Sequence, residues 1–100
     1  MIFITQLIYI KEGQEQVFCQ FEDIAIPAIL KYSGKLLLRV RPGAETIVEA
    51  NMEVPYEIHL VQFESDNDLE NFMQDEERKR FLHLKEQSIR YVVLIKGMKL

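Results

Sequence analysis

Tyr56-Glu57-Ile58-His59-Leu60-Val61-Gln62-Phe63 is the stretch whose reading decides the fold. It follows Pro55, is rich in β-branched and aromatic residues, and gives way to Ser65-Asp66-Asn67-Asp68, so it reads as a central strand that ends where a helix begins. His59, one of only two histidines in the chain, lies in its middle. The two-residue period puts Glu57 on the same strand face as His59, and Gln62 on the other.

Downstream, Ser65 offers a hydroxyl to the orphan amides of a helix, and Asp68 places a carboxylate near its positive end. Leu69, Phe72 and Met73 supply the apolar stripe. A second helical stretch is expected from about Asp75 to Leu84, with Phe81, Leu82 and Leu84 turned inward. Ile89 to Lys96 reads as the last strand, apolar on both parities and stopped by Gly97.

Upstream, Ile2 to Ile10 reads as the first strand, again apolar on both faces. A helix follows the Lys11-Glu12-Gly13 turn and runs to about Tyr32, its stripe formed by Val17, Phe18, Phe21, Ile24, Ala25, Ala28 and Tyr32. Pro27 should kink or break it near Ile26, and Gly34 suits a left-handed cap at its end. Cys19, Ile26 and Leu30 form a smaller apolar set on the opposite side: scattered surface residues, or a contact with another helix or subunit. Lys35 to Arg41 reads as the second strand. Pro42-Gly43 should bend it, with a strand-like arm at Glu45–Glu49 beyond.

The chain has 100 residues, 48% hydrophobic and 28% charged, which sets the expectation of one folded domain spanning 1–100. Its net charge of −4, and a basic run (Arg78-Lys79-Arg80) that directly follows Asp75-Glu76-Glu77, argue against a phosphate-binding surface. We read that run as a mixed-charge helix surface and expect no nucleic-acid partner. The single cysteine, Cys19, allows no internal disulfide and suits a reducing compartment such as the cytoplasm. Met1-Ile2-Phe3-Ile4 has no basic lead and does not read as a signal peptide. No apolar run approaches the roughly 18 residues that a membrane span needs, so no membrane partner is expected.

The order β-α-β-β-α-β, with right-handed crossovers, gives an α+β domain: a four-stranded antiparallel sheet, first and third strands central, both helices on one face. Two strands are nevertheless apolar on both faces. Burying a large apolar side chain is worth about 1.5–3 kcal/mol, so a second copy is expected to cover the bare face in a symmetric dimer.

The residues Pro27-Ala28-Ile29-Leu30-Lys31-Tyr32-Ser33-Gly34-Lys35, Leu37-Leu38-Arg39, Gln62-Phe63-Glu64-Ser65, Asp75-Glu76-Glu77-Arg78 and Val92-Val93-Leu94-Ile95-Lys96-Gly97 carry a resemblance over nearly the whole chain. The sequence resembles the dimeric α+β barrel superfamily, in which two ferredoxin-like sheets pack face to face. It is most similar to a small family of unassigned function related to antibiotic-biosynthesis-monooxygenase-like proteins. The resemblance implies a homodimer that binds a small molecule. It extends to a cofactor-free enzyme, monooxygenase- or isomerase-like, acting on an aromatic or enolisable substrate.

His59 reads either as a general base or ligand contact in a pocket between the sheet and its cover, or as a buried neutral histidine paired with Glu57. Arg39 and Arg41 share one strand parity, as do Glu57 and His59. Placed on one face they form either an anion-binding cluster or mutually satisfied ion pairs. Tyr9, Tyr32, Tyr56 and Tyr91 either line a cavity with their hydroxyls or belong to the core. We therefore expect His59 as the catalytic candidate and Arg39, Glu57, Tyr9 and Tyr32 as ligand contacts. His83 reads as solvated and Cys19 as inert, and two distant histidines define no metal site; no cofactor is expected. A ligand-binding protein requires a pocket with His59 or Arg39 at its wall. The alternative, a non-catalytic structural or regulatory dimerisation module, requires complete ion pairing and solid packing.

Overall fold

The computed structural model describes residues 1–100. Four strands, β1 (Ile2–Ile10), β2 (Gly34–Val40), β3 (Glu57–Phe63) and β4 (Ile89–Gly97), form one antiparallel sheet in the order β2-β3-β1-β4. Helix α1 (Glu15–Lys31) connects β1 to β2, and α2 (Asp66–Met73), α3 (Glu76–Arg80) and α4 (Leu82–Ser88) connect β3 to β4. This is the ferredoxin-like β-α-β-β-α-β arrangement, with the second helical connection in three pieces. The molecule is a slab of 36 × 36 × 16 Å, two layers thick. No helix is long and apolar enough to cross a membrane.

The alternation of β3 sets the core. Glu57, His59, Val61 and Phe63 are buried, while Ile58, Leu60 and Gln62 are only half-buried. Antiparallel pairing puts Ile4 opposite Val61, Gln6 opposite His59 and Ile8 opposite Glu57, so one face of both central strands meets the helices. There Ile2, Ile4, Val61 and Phe63 pack with Ile29 of α1, and Leu36, Leu69 and Phe72 close the edges. Only 18 of 100 residues are buried, because the opposite sheet face has no cover. That face carries Leu38, Val40, Tyr91 and Ile95, all exposed, around half-buried Phe3, Leu7, Ile58 and Leu60.

β2 is irregular: Leu36 pairs with Val61 but Leu38 pairs with Leu60, so Leu37 is an inserted, bulged residue. Beyond the bulge, Arg39 stands opposite His59.

Four local expectations are corrected. The residue with positive φ after α1 is Ser33 (φ 57), not Gly34. Gly34 serves close packing instead, since a Cβ there would lie 2.6 Å from Ile29 Cγ2 and 2.7 Å from Phe63 Cε1. Pro27 does not break α1; it and Asp23 are exposed, so the carbonyl left without its helical donor faces water. The strand-like arm at Glu45–Glu49 is absent. Ala44–Thr46 forms a 3₁₀ turn, with Thr46 Oγ1 donating to Gly43 O at 2.7 Å, and no neighbouring strand offers these residues a ladder. The Asp75–Leu84 helix is divided at Phe81 into α3 and α4.

Ser65 caps α2 as its position suggested, its Oγ accepting from Asp68 N at 3.2 Å. Asp75 does the same for α3: Oδ1 accepts from Arg78 N at 2.8 Å, and Oδ2 accepts from the Tyr32 hydroxyl at 2.7 Å. The Arg78 amide and that hydroxyl hold the Asp75 carboxyl below the usual carboxylate range.

Candidate functional site

Three titratable side chains meet where α1 crosses the centre of the sheet. Glu57 and His59 come from the inner face of β3, and Glu22 comes down from α1; all three are buried. Glu22 falls between Phe18, Phe21 and Ala25 on the buried stripe of the helix. The periodicity that buries those residues therefore buries its carboxylate too.

Glu57 is the anchor. Its Oε2 accepts from Arg39 Nε at 2.9 Å, and its Oε1 accepts from Arg41 Nε at 2.8 Å. His59 Nε2 is hydrogen-bonded to Oε2 as well. Burial pushes the Glu57 carboxyl upward, but the hydrogen bonds from His59, Arg39 and Arg41 outweigh it and hold the group at about 2. An ionised carboxylate only accepts, so in the neutral imidazole the proton belongs on Nε2 and the lone pair on Nδ1. Glu22 Oε2 stands 3.9 Å from that Nδ1, beyond hydrogen-bond reach. Burial raises the Glu22 carboxyl to about 7, with His59 opposing the rise and the Glu57 charge adding to it. The two carboxylates on either side of the imidazole thus titrate far apart.

A cavity of about 440 Å³ opens beside this cluster, between the sheet and the helices. Fourteen of its nineteen lining residues are hydrophobic, and the polar ones are Gln6, Glu22, His59, Arg78 and Lys85. Few, convergent polar groups on an apolar wall are the composition of a ligand pocket. Met73 and Leu94 line it while remaining exposed, which marks its solvent side. Arg78 lies over the Phe72 ring, 5.3 Å from its centroid. Burial lowers the Lys85 ammonium, and the nearby Arg78 charge lowers it further.

One donor atom from each of Glu22, Glu57 and His59 lies within 4.8 Å of the others. Both Glu57 oxygens are already engaged by two guanidinium groups, whose positive charges oppose a cation. The cluster has the chemistry of a charge network rather than of three free ligands.

The residues singled out from sequence are distributed as follows. His59 reaches the cavity wall. Arg39 and Glu57 lie behind it, in the network that holds the imidazole. Tyr9 and Tyr32 do not line the cavity. Tyr9 stacks on Tyr91 at 4.3 Å and donates to Glu53 O at 2.8 Å, while Tyr32 is held by Asp75. Cys19 Sγ lies 3.5 Å from an Arg41 Nη, and His83 is exposed. Sequence reasoning missed Gln6, Glu22, Arg78 and Lys85. Two of these had a signal: Gln6 interrupts the inward series Ile2, Ile4, Ile8, and Glu22 interrupts the apolar stripe of α1. Arg78 belongs to the run expected as a mixed-charge helix surface, but it is buried.

No protein-family model and no curated protein matches the sequence. The fold is similar to solved structures. A protein of unknown function from Rhodopseudomonas palustris superposes with a TM-score of 0.84 at 10% identity, over 99% of this chain and 82% of that one. A nipsnap family protein with unknown function from Agrobacterium tumefaciens gives 0.69 at 17% identity, over 97% of this chain and 86% of that one. An uncharacterized NIPSNAP domain protein from Burkholderia xenovorans gives 0.72 at 9% identity, over 100% and 95%. At these identities the likeness establishes the ferredoxin-like fold, and the chemistry rests on the side chains described above.

Proposed function

We propose that this protein is a homodimer that binds a small molecule in the cavity between sheet and helices. His59 acts there as a general base on an aromatic or enolisable substrate, without a cofactor. The observation that carries the reading is the buried Glu57–His59 pair, held from the sheet edge by Arg39 and ending at the cavity wall. Glu57 fixes the imidazole tautomer, presents Nδ1, and would stabilise the imidazolium formed by proton abstraction; a carboxylate behind a histidine does this in many acid–base sites. Glu22, near 7, is suited to exchange the proton onward.

The bare apolar sheet face supports self-association, since a contiguous patch of this kind is rare on a monomer. A standard interface buries about 800 Å² per partner. The unpaired Cys19 fits a reducing, cytoplasmic setting.

The test is proton exchange. Aromatic β-diketones and β-keto esters incubated with the protein in heavy water should exchange their α-protons. His59→Gln should slow that exchange by about 10²-fold or more. Exchange equal to the buffer rate for every compound would refute the catalytic part. A non-catalytic dimerisation module is the second reading, favoured by the fully paired state of Glu57. It expects no thermal shift with any ligand and unchanged dimerisation in His59→Gln.

A further inference from the structure

Two cationic side chains, Arg78 and Lys85, line the cavity against one carboxylate, Glu22, while Arg39, Arg41 and Glu57 lie behind its wall. The chain as a whole carries −4, so this is a local reversal of sign. Arg39 and Arg41 are consumed by Glu57. Arg78 and Lys85 are not consumed: neither forms an ion pair, and both line the cavity. The only side-chain hydrogen bond of Arg78 is to Met73 O, at 3.4 Å. Glu22 and Asp75 act on it electrostatically without a direct bond. A buried guanidinium costs free energy unless something opposite in charge reaches it, and here the space in front of it is a cavity.

We infer that the cavity takes an amphipathic organic anion, its carboxylate bound between Arg78 and Lys85 and its apolar body lying against Ile4, Phe72 and Val92. The inference rests on the cavity being a ligand site, as proposed above, and adds the charge class of the ligand. Arginine offers a planar fork to a carboxylate and lysine a point charge beside it, so the pair can hold both oxygens. The rest of the wall is mostly apolar, which disfavours small, fully hydrated anions such as phosphate and selects one with a ring or an alkyl body. With the head group fixed at Arg78 and Lys85, the carbon skeleton extends along the wall that also carries His59. Glu22 is largely protonated below its pKa of about 7 and then does not repel such a ligand.

The probe is 2-naphthoate, with 2-naphthamide as its neutral counterpart, titrated into the full chain at pH 6 by calorimetry and by methyl NMR. Naphthoate should bind about tenfold or more tightly than the amide, as expected for a charge-assisted contact. It should shift the methyl signals of Ile4 and Val92. Lys85→Met should weaken naphthoate about tenfold and leave the amide unchanged. Arg78→Met should do the same or more, and the less buried Lys85 keeps the test decisive if that variant unfolds. Equal affinity for the two probes, or an unaltered Lys85→Met titration, overturns the anion assignment and leaves the cavity reading standing. If neither probe shifts those methyls, or shifts are confined to Leu60 and Ile95 on the other sheet face, both fail.

Discussion

Glu22 of α1 faces His59 of β3 with 3.9 Å between its Oε2 and the imidazole Nδ1. The contact is too long for a hydrogen bond, so the carboxyl is largely buried without gaining a donor from the imidazole. Burial then holds it at about 7 while Glu57, two residues from His59 in the chain, sits at about 2.

These two groups predict opposite pH slopes. Glu57 binds protons more weakly in the folded chain than in the unfolded one, so its stabilisation is present above about 4.5 and is lost as the pH falls toward 2. Glu22 binds protons more tightly when folded, so it is best tolerated below about 4.5 and costs stability as the pH rises to about 7. Over that upper window its cost is on the order of 3 kcal/mol. Denaturant midpoints measured from pH 3 to 8 should therefore pass through a maximum near pH 5. Glu22→Gln should flatten the upper limb; a limb that persists in the variant would place the titrating group elsewhere.

Removing Glu57 should disturb more than one pair. Glu57→Gln leaves Arg39 and Arg41 without an anion, but both are partly exposed and can turn to water. We expect a loss of about 1–3 kcal/mol, below the 3–5 typical of fully buried pairs. The imidazole also loses the partner that fixes its tautomer, so the nitrogen chemical shifts of His59 should change. Arg39→Met should move them less, since Arg41 still holds the carboxylate.

Gly34→Ala should destabilise by about 1–3 kcal/mol, the usual cost of forcing a methyl into a packed site. Its Cβ would meet Ile29 Cγ2 at 2.6 Å and, less yieldingly, the Ile29 carbonyl oxygen at 2.8 Å. The position has no positive φ, so a larger effect than at Gly13 (φ 77), whose Cβ would meet nothing, separates steric crowding from backbone strain.

Much of this was readable from residue pattern. The four strands and α1 follow from runs of β-formers and from a stripe at helical period, and Ser65 marked the start of α2. Two kinds of feature were not readable. One is tertiary: the 3₁₀ turn at Ala44–Thr46 arises where a strand-like sequence, Thr46-Ile47-Val48, has no neighbour to pair with. The other is polar residues inside apolar patterns. His59 was visible because it is rare and mid-strand. Glu22 and Gln6 are single polar residues among hydrophobic neighbours, a pattern with no signature of its own, and Arg78 is embedded in a charged run. Tyr9 and Tyr32 are cavity candidates by residue type alone, and their hydroxyls donate instead to Glu53 O and Asp75.

The uncovered sheet face predicts concentration-dependent behaviour. Sedimentation equilibrium should show a dimer, and the melting temperature should rise with protein concentration. Leu38 and Ile95 are exposed in the single chain, so Leu38→Lys with Ile95→Lys should leave the protomer folded while dissociating the pair. A wild-type chain that stays monomeric at millimolar concentration contradicts the assembly.

The single extra residue at Leu37 acts like a frameshift in the strand. Before it, even-numbered side chains point toward the helices; after it, odd-numbered ones do, and this is what delivers Arg39 to Glu57. A strand that paired Leu37 in regular register, without the bulge, would send both arginines to the outer surface and Val40 toward the charge network. The wiring of the imidazole therefore depends on where one irregularity falls in the pairing of a neighbouring strand.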